Sequence, residues 1–371
     1  MWRYMSLLVS LTLFVACGAS LPPATVAPPS PTAVGPIVPT APAPALTVAT
    51  PTPSTLPATV ALAPTLTPVP THTAAPTKPV PTSTAVPKIP LVASFSVLGD
   101  LVRNVAGDRA DVVVIVGPGQ DTHTFEPAPS HALAVRDAAV VFENGAGFDG
   151  WLQRLYVASG SRARRVTVTE GITLQRGGHT HAEGEAESHE GEGELDPHVW
   201  QDVRHAIHMV GTIRDALAAH DAPGAAVYRA NADRYIGELR ELDAWVIAQV
   251  ATVPEPRRTL VMNHESLGYF ASRYGFAIVG TVLPSVSTEA AEPSASDLAR
   301  LVRRIRSVGV PVIFAENVAN TRVIERVARE AGARVGPLLY TDALARAGAG
   351  ADTYVAMMRH NVGAIVTALR G

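Results

Sequence analysis

The sequence predicts an α/β fold with two Rossmann-like lobes, each containing a central parallel sheet, joined by one long linking α-helix. Short apolar runs such as Asp111–Val116 and Thr259–Met262 alternate with helix-like segments in both halves of the chain beyond residue 90. This alternation is typical of parallel strands with helices packed on their faces. Residues 221–253, between the two halves, instead have the pattern of a single helix.

The elements of each half follow in order along the chain. In the first half we expect strands at Val92–Val97, Asp111–Val116 and Ala139–Phe142, and helices at Leu98–Ala106 and from Ser130 to Arg136. In the second half we expect strands at Thr259–Met262, Ala277–Val282 and Val310–Ala315, and helices at Ser266–Tyr274, Ser294–Ser307 and Thr321–Ala331. Short β-branched runs bounded by glycine or proline favour the strands, and capping residues favour the helix starts.

The long helix is predicted from the spacing of its apolar residues. From Tyr228 to Val246 these residues are seven, four, three and four positions apart, which is the stripe of an amphipathic helix. A helix of about 30 residues would be about 45 Å long, enough to cross both lobes. We therefore expect an N-terminal lobe at residues 91–220, a linking helix at 221–253 and a C-terminal lobe at 254–371.

The first 17 residues have the pattern of an export signal. Arg3 precedes an apolar run from Leu7 to Ala16 that is too short to span a bilayer. The run ends at Cys17, the only cysteine in the chain, and resembles the lipobox of bacterial lipoproteins, in which this cysteine is acylated after cleavage. We expect an exported, membrane-anchored lipoprotein on the outer side of the cytoplasmic membrane. An ordinary secretory signal is the alternative.

Residues 18–90 form a segment of strongly biased composition. Between Leu21 and Pro90 lie 20 of the 31 prolines, with no aspartate or glutamate and only two lysines, Lys78 and Lys88. Such a segment has no periodic apolar face and cannot build a core, so we expect an extended tether with polyproline II character.

The overall charge excludes one class of partner. The chain has a net charge of -3 and only 5% aromatic residues, so it offers neither a basic field nor a stacking surface for nucleic acid. With a single cysteine it also forms no internal disulfide.

Polar residues that can bind metal follow the apolar runs. His123 lies in a Gly/Pro-rich turn after the strand that ends at Val116, His264 follows the strand that ends at Met262, and His198 precedes a predicted helix. Asp342 follows an apolar run late in the chain. Because ligands gather beyond the carboxyl ends of parallel strands, these residues could meet in a cleft and hold a divalent ion. Their spacing alone also fits unrelated polar residues.

Several motifs, taken in their order along the chain, resemble those of a known protein family. The segments GPGQDTHTFEPAPS, DPHVWQDV, NHESLGYFASRYGF, EPS, FAENVAN and GPLLYTDALA are similar to those of the ZnuA/TroA-like metal-binding proteins of zinc and manganese ABC importers. The resemblance runs from about Val92 to the C-terminus. It implies two α/β lobes bridged by a long helix, delivery of metal to a cognate permease and ATPase, and His123, His198, His264 and Asp342 as the metal ligands.

The third ligand position favours zinc. Manganese-selective members of that family tend to have glutamate there, whereas this chain has His264. Three imidazole nitrogens and one carboxylate form a softer donor set that suits Zn²⁺ better than Mn²⁺. Glu265 is adjacent, and a shift of one residue would place a carboxylate at this position instead.

A second histidine cluster lies in the insertion Gly177–Glu194. His179, His181 and His189 stand among six glutamates, with no apolar residue larger than alanine. Such a segment cannot pack, so we expect a mobile loop that collects metal at low affinity. A solvated acidic insertion with chance histidines is the alternative.

Other functions remain open at this stage. A manganese- or iron-binding homologue fits the same motifs, and some relatives have been described as adhesins. An exported zinc hydrolase is a further alternative, but it needs an open coordination position and a general base, and the chain has neither an HExxH nor a GxSxG motif. The sequence thus predicts a monomeric metal-binding transport protein and no enzyme.

Overall fold

The computed structural model describes residues 87–177 and 194–371. The predicted signal with Cys17, nearly all of the predicted tether, and the loop histidines His179, His181 and His189 lie outside these residues. In the part of the chain that the structure describes, none of the helices combines the length and the apolar character that crossing a bilayer requires.

The first half contains a four-stranded parallel sheet. Its strands are β1 (Ile89–Phe95), β2 (Ala110–Val116), β3 (Val140–Glu143) and β4 (Arg164–Thr167), and its helices are α1 (Ser96–Ala106), α2 (Pro129–Asp137) and α3 (Trp151–Ser159). The strand order is β2-β1-β3-β4. Because parallel crossovers are right-handed, α1 lies on one face of the sheet and α2 and α3 on the other. From β1 the chain crosses over to β2 on one side, and from β3 it crosses over to β4 on the other side. The crossover direction therefore changes between β1 and β3.

Two long helices follow, and a second parallel sheet comes after them. The helices are α4 (Val203–His220) and α5 (Ala225–Val250), and the strands are β5 (Thr259–Met262), β6 (Ala277–Thr281), β7 (Val312–Ile313) and β8 (Arg334–Val335). The remaining helices are α6 (Gly268–Tyr274), α7 (Ala295–Val308), α8 (Thr321–Ala331) and α9 (Tyr354–Arg370). β5 pairs with β6 and β7 with β8, and the N–H of Phe314 donates to the carbonyl of Val261 at 2.8 Å. The order across this half is therefore β6-β5-β7-β8, and the winding changes between β5 and β7.

Helix α5 buries the apolar stripe that the sequence predicts. Tyr228, Tyr235, Leu239, Leu242 and Val246 are all buried. The helix contacts α1 and α4 from the first half and α6 and α9 from the second. At 26 residues it is about 39 Å long. The predicted α/β class with parallel sheets is confirmed.

Several predicted elements have different ends. The helix predicted to begin at Ser266 begins at Gly268, because the hydroxyl of Ser266 donates to the buried carboxylate of Glu316 at 2.9 Å and the preceding residues form a loop. The strand predicted at Val310–Ala315 is only Val312–Ile313. Helices α3 and α9 were not predicted. Helix α9 is buried on most sides and has no clean apolar stripe that would identify it.

Candidate metal centre

Four side chains that the sequence singles out meet at one point. His123, His198, His264 and Asp342 each offer one ligand atom, and these atoms lie within 4.8 Å of one another. His123 follows β2, His264 follows β5, His198 precedes α4, and Asp342 lies between β8 and α9. The sheets converge on the site with the carboxyl ends of their strands, where parallel α/β sheets bind ligands.

Asp342 occupies the middle of the cluster. Its Oδ2 atom lies 3.2 Å from Nε2 of His264 and 3.5 Å from Nε2 of His123, and its Oδ1 atom lies 3.5 Å from Nε2 of His198. All three Nε2 atoms and both carboxylate oxygens are buried and have no hydrogen-bond partner in the described residues. Buried polar atoms are almost always satisfied, so five such atoms facing one point indicate a binding site for a cation.

The spacing of these atoms fits a tetrahedral ion. Zinc binds histidine nitrogen and carboxylate oxygen at about 2.0–2.2 Å, so the edges of its coordination tetrahedron are about 3.3–3.6 Å long. The three separations between carboxylate oxygens of Asp342 and the imidazoles, 3.2 to 3.5 Å, are close to this length, and all four ligand atoms lie within 4.8 Å of one another. The cluster therefore has the size of a site for an ion of this kind.

A carboxylate orients the imidazole of His198. Oδ1 of Asp196 lies 2.7 Å from Nδ1 of His198 and also accepts the backbone N–H of the same residue at 2.9 Å. With Nδ1 occupied in this way, the lone pair of Nε2 is directed to the cluster. Asp196 therefore acts as an orienting group for His198.

Glu316 has the same position relative to His264 and was not identified from the sequence as part of the site. Its Oε2 atom lies 2.8 Å from Nδ1 of His264 and accepts hydroxyl protons from Ser266 and Thr341, each at 2.9 Å. Its Oε1 atom accepts the backbone N–H groups of Asn263 at 2.7 Å and His264 at 3.0 Å. The sequence feature that could have identified Glu316 is its position as a charged residue directly after the apolar run that ends at Ala315.

Replacement of Glu316 by glutamine should weaken metal binding about 10- to 100-fold, the usual cost of losing an orienting carboxylate. The amide keeps the volume of the side chain but removes the negative charge that lies 2.8 Å from Nδ1 of His264, and it places N–H groups near that atom. Titration calorimetry with zinc measures the effect. Glu126→Gln is the matched control, because Glu126 is exposed and lies outside the cluster. Equal affinities of the two variants would show that Glu316 does not orient the ligand.

The buried charges shift the pKa values of the ligands strongly. Burial alone would lower the pKa of His198, but the carboxylates of Asp342 and Asp196 outweigh burial and raise it to about 9. Burial likewise opposes the charged form of His264, yet Glu316 and Asp342 raise its pKa well above the usual value. The two imidazoles in turn overcome the burial of Asp342 and hold its pKa well below the usual range. Without metal, the cluster is therefore a set of ion pairs that holds protons at neutral pH.

The loop that carries Asp342, residues 340–345, is fixed to other parts of the fold. Nε1 of Trp200 and Nε2 of Gln201 both donate to the carbonyl of Thr341 at 2.9 Å. The backbone N–H of Leu344 donates to the hydroxyl of Ser96 at 2.9 Å, and the carbonyl of Leu344 accepts the N–H of Gly119 at 3.0 Å. Ser96 and Gly119 belong to the first half, so both halves hold the ligand in place.

A cleft leads from solvent to one side of the site. It has a volume of about 520 Å³ and is lined by His123 together with Phe148 and Trp151. The ring of Phe148 packs edge-on against His123, with ring centres 4.8 Å apart, and forms an apolar wall. Side chains of His198, His264 and Asp342 have no exposure, whereas that of His123 is 4% exposed. Among the four candidate ligands, His123 is thus the one nearest to solvent.

Three further histidines of the described residues lie outside the cluster. Nε2 of His208 lies 2.7 Å from the carbonyl of Glu170, and His205 packs against the ring of Tyr269. Nδ1 of His131 accepts the N–H of Ala128 at the start of α2.

Known proteins share both the sequence and the fold. Residues 91–368 match the family model described as ZnuA, the periplasmic zinc-uptake complex component A. The chain is 38% identical over 279 residues to the manganese-binding lipoprotein MntA of Halalkalibacterium halodurans, covering 75% of this chain and 88% of the relative. Among solved structures, the periplasmic zinc-binding protein TroA from Treponema pallidum has a TM-score of 0.69 at 28% identity, with 76% of this chain and 99% of that chain covered. A manganese-bound periplasmic metal-binding protein from Candidatus Liberibacter asiaticus has a TM-score of 0.67 at 26% identity, with 76% and 100% covered.

The fold, the clustered ligands and these matches define a metal-binding protein of the substrate-binding class that serves ABC importers. Proteins of this class act in transport and are not enzymes, so the hydrolase alternative is set aside. In particular, the chain belongs to the ZnuA family of zinc-uptake components.

Proposed function

We propose that the protein captures Zn²⁺ outside the cytoplasmic membrane, holds it with His123, His198, His264 and Asp342, and delivers it to a cognate permease and ATPase. The observation that carries this proposal is the convergence of three unpartnered imidazole nitrogens and one carboxylate at a buried point. Four protein ligands close the coordination shell, and a closed shell is suited to binding an ion rather than to activating water.

The donor set supports zinc as the cargo. Imidazole suits zinc well, whereas manganese prefers carboxylate and water oxygens, and this cluster has a single carboxylate facing three nitrogens. The Irving–Williams order also places zinc far above manganese for any site of nitrogen and oxygen donors.

Manganese is the second candidate, and a specific observation favours it. Both oxygens of Asp342 face the imidazoles, so the carboxylate can bind through two atoms and raise the coordination number above four. Two of the similar proteins are also named for manganese: the manganese-binding lipoprotein MntA of H. halodurans and the manganese-bound periplasmic protein.

A competition experiment distinguishes the two metals. We expect the purified, chelator-treated protein to bind one tight equivalent of Zn²⁺, and a large excess of Mn²⁺ to leave it in place. Titration calorimetry with each metal, followed by elemental analysis after mixing, measures the preference. His264→Glu provides the matched variant, because it offers two nitrogens and two carboxylates and should narrow the gap between the metals. Displacement of bound Zn²⁺ by equimolar Mn²⁺ in the unmodified protein would overturn the assignment.

Four further features complete the proposal. We propose that a lipid on Cys17 anchors the protein, that the protein is a monomer, and that His179, His181 and His189 collect additional metal. We also retain the division into lobes at 91–220 and 254–371 with the linking helix between them. The contacts of α5 with helices from both halves support this division.

A further inference from the structure

An arginine-rich surface lies on the second half of the fold, and none of its arginines belongs to the metal cluster. It consists of the outward sides of α7 and α8, which together carry seven arginines and three carboxylates. The whole chain has a net charge of -3, so this local excess of positive charge is not an average property of the surface.

The inward sides of the two helices explain how the arginines come to share one face. Leu301, Val302 and Ile305 of α7 pack in the same core cluster as Ile324 and Val327 of α8. The helices contact each other, and both follow crossovers in the same winding direction, from β6 to β7 and from β7 to β8. Both therefore cover the same face of the sheet, and their polar sides point to solvent together.

Several of these arginines have no internal partner. Arg300 pairs with Asp297 and Arg326 with Glu330, both as exposed pairs of one helix. Arg303, Arg322 and Arg329 are exposed, and none of them forms an ion pair with a carboxylate of the described residues. Val308, at the end of α7, adds an exposed apolar side chain with 51% exposure.

We propose that this arginine face of α7 and α8 docks the protein onto an anionic phospholipid surface. The inference rests on the proposed location of the protein at the outer side of a membrane. Clusters of four to eight basic residues near a bilayer bind anionic headgroups, and arginine forms paired hydrogen bonds with phosphate. The metal site lies at the carboxyl edge of the sheet, whereas the arginine face lies on its flat side. A protein docked in this way keeps the mouth of the cleft open to the solution from which metal is taken.

Vesicle binding of the full-length chain with Cys17→Ala, which removes the acylation site, tests the proposal. We expect co-sedimentation with phosphatidylglycerol/phosphatidylcholine vesicles and much weaker binding to vesicles of phosphatidylcholine alone. The triple variant Arg303→Gln, Arg322→Gln and Arg329→Gln should lose at least about tenfold in binding to the anionic vesicles. The matched control changes Arg229, Arg234 and Arg240 of α5 to glutamine, which removes the same charge from exposed positions of another helix. It should retain nearly full binding.

Three outcomes would overturn the docking proposal. They are equal binding of the two triple variants, equal binding to charged and neutral vesicles, and tight binding of the arginine face to soluble polyphosphate with none to vesicles. Zinc titration of each variant is the separate readout for the metal site. If the unmodified chain binds zinc normally but does not bind anionic vesicles, the docking proposal alone is wrong. If the unmodified chain does not bind zinc, the proposed function is wrong.

Discussion

Replacement of Asp342 by alanine will lower zinc affinity by more than about 100-fold, beyond the range that the loss of an orienting group produces. The carboxylate faces all three imidazoles at 3.2 to 3.5 Å and is, among the described residues, the single negative charge in direct contact with their Nε2 atoms. Without it, a divalent ion would lose its one charged donor in a fully buried site, and the carboxylates of Asp196 and Glu316 would compensate its charge only through the imidazoles. Titration calorimetry, with a chelator as competitor for the unmodified protein, measures the loss.

Two companion variants separate the charge of Asp342 from its shape. Asp342→Asn keeps the size and one acceptor oxygen, and we expect an affinity between those of the alanine variant and the unmodified protein. Asp233→Ala removes an exposed carboxylate from α5 and should leave the affinity unchanged. If the alanine variant bound zinc as tightly as the unmodified protein, Asp342 would not be a ligand.

The second large effect is on the pH dependence of stability: from pH 6.5 to 9 the metal-free protein should lose stability, while the stabilisation added by zinc should grow. The pKa of His198 is raised from 6.5 to about 9 in the folded, metal-free protein. A raised pKa contributes stability that is fully present below pH 6.5 and lost as the pH rises toward 9. The shift corresponds to a contribution on the order of 3 kcal/mol. The pKa of His264 is also raised, which adds in the same direction. Asp342, whose pKa is depressed, stays ionised throughout this range.

Metal binding requires neutral imidazoles, so zinc must displace these protons. The apparent affinity for zinc should therefore rise between pH 6.5 and 9, by about tenfold per pH unit for each proton displaced. Thermal unfolding scans at several pH values, with chelator and with zinc, should show the Tm of the metal-free protein falling while the stabilisation by zinc grows. Asp196→Asn removes one cause of the raised pKa of His198 and should shift this transition to lower pH. A metal-free Tm that rises from pH 6.5 to 9 would contradict the prediction.

The sequence predicted most of the ligand set, because each ligand follows an apolar run or a motif. His123 and His264 could be found from strand ends alone, since the carboxyl edge of a parallel sheet collects ligands. Asp342 was singled out because it follows an apolar run, and the family resemblance then supported it, since β8 is only two residues long and gives a weak strand pattern.

The features that the sequence did not predict depend on tertiary contacts. Glu316 orients His264 across 52 residues of sequence, and no local pattern connects the two. Serine is a common capping residue, so the sequence predicted that α6 begins at Ser266. The hydroxyl of Ser266 donates to Glu316 and does not cap the helix, which begins at Gly268. In both cases a buried carboxylate decides the local structure, because leaving it without partners is costlier than shortening a helix.

The enclosure of the ligands has a consequence for the timing of release. Three of the four ligand side chains have no exposure, and the fourth, that of His123, is 4% exposed. His123 also lines the cleft, so the shortest path for an ion between the site and solvent passes this residue, and we expect the loop of His123 to move when the ion leaves. Dissociation should then be governed by the opening rate of this loop, and a tight equilibrium need not imply slow transfer. A receptor that displaces the loop could empty the site within one encounter, while the isolated protein retains its ion for much longer.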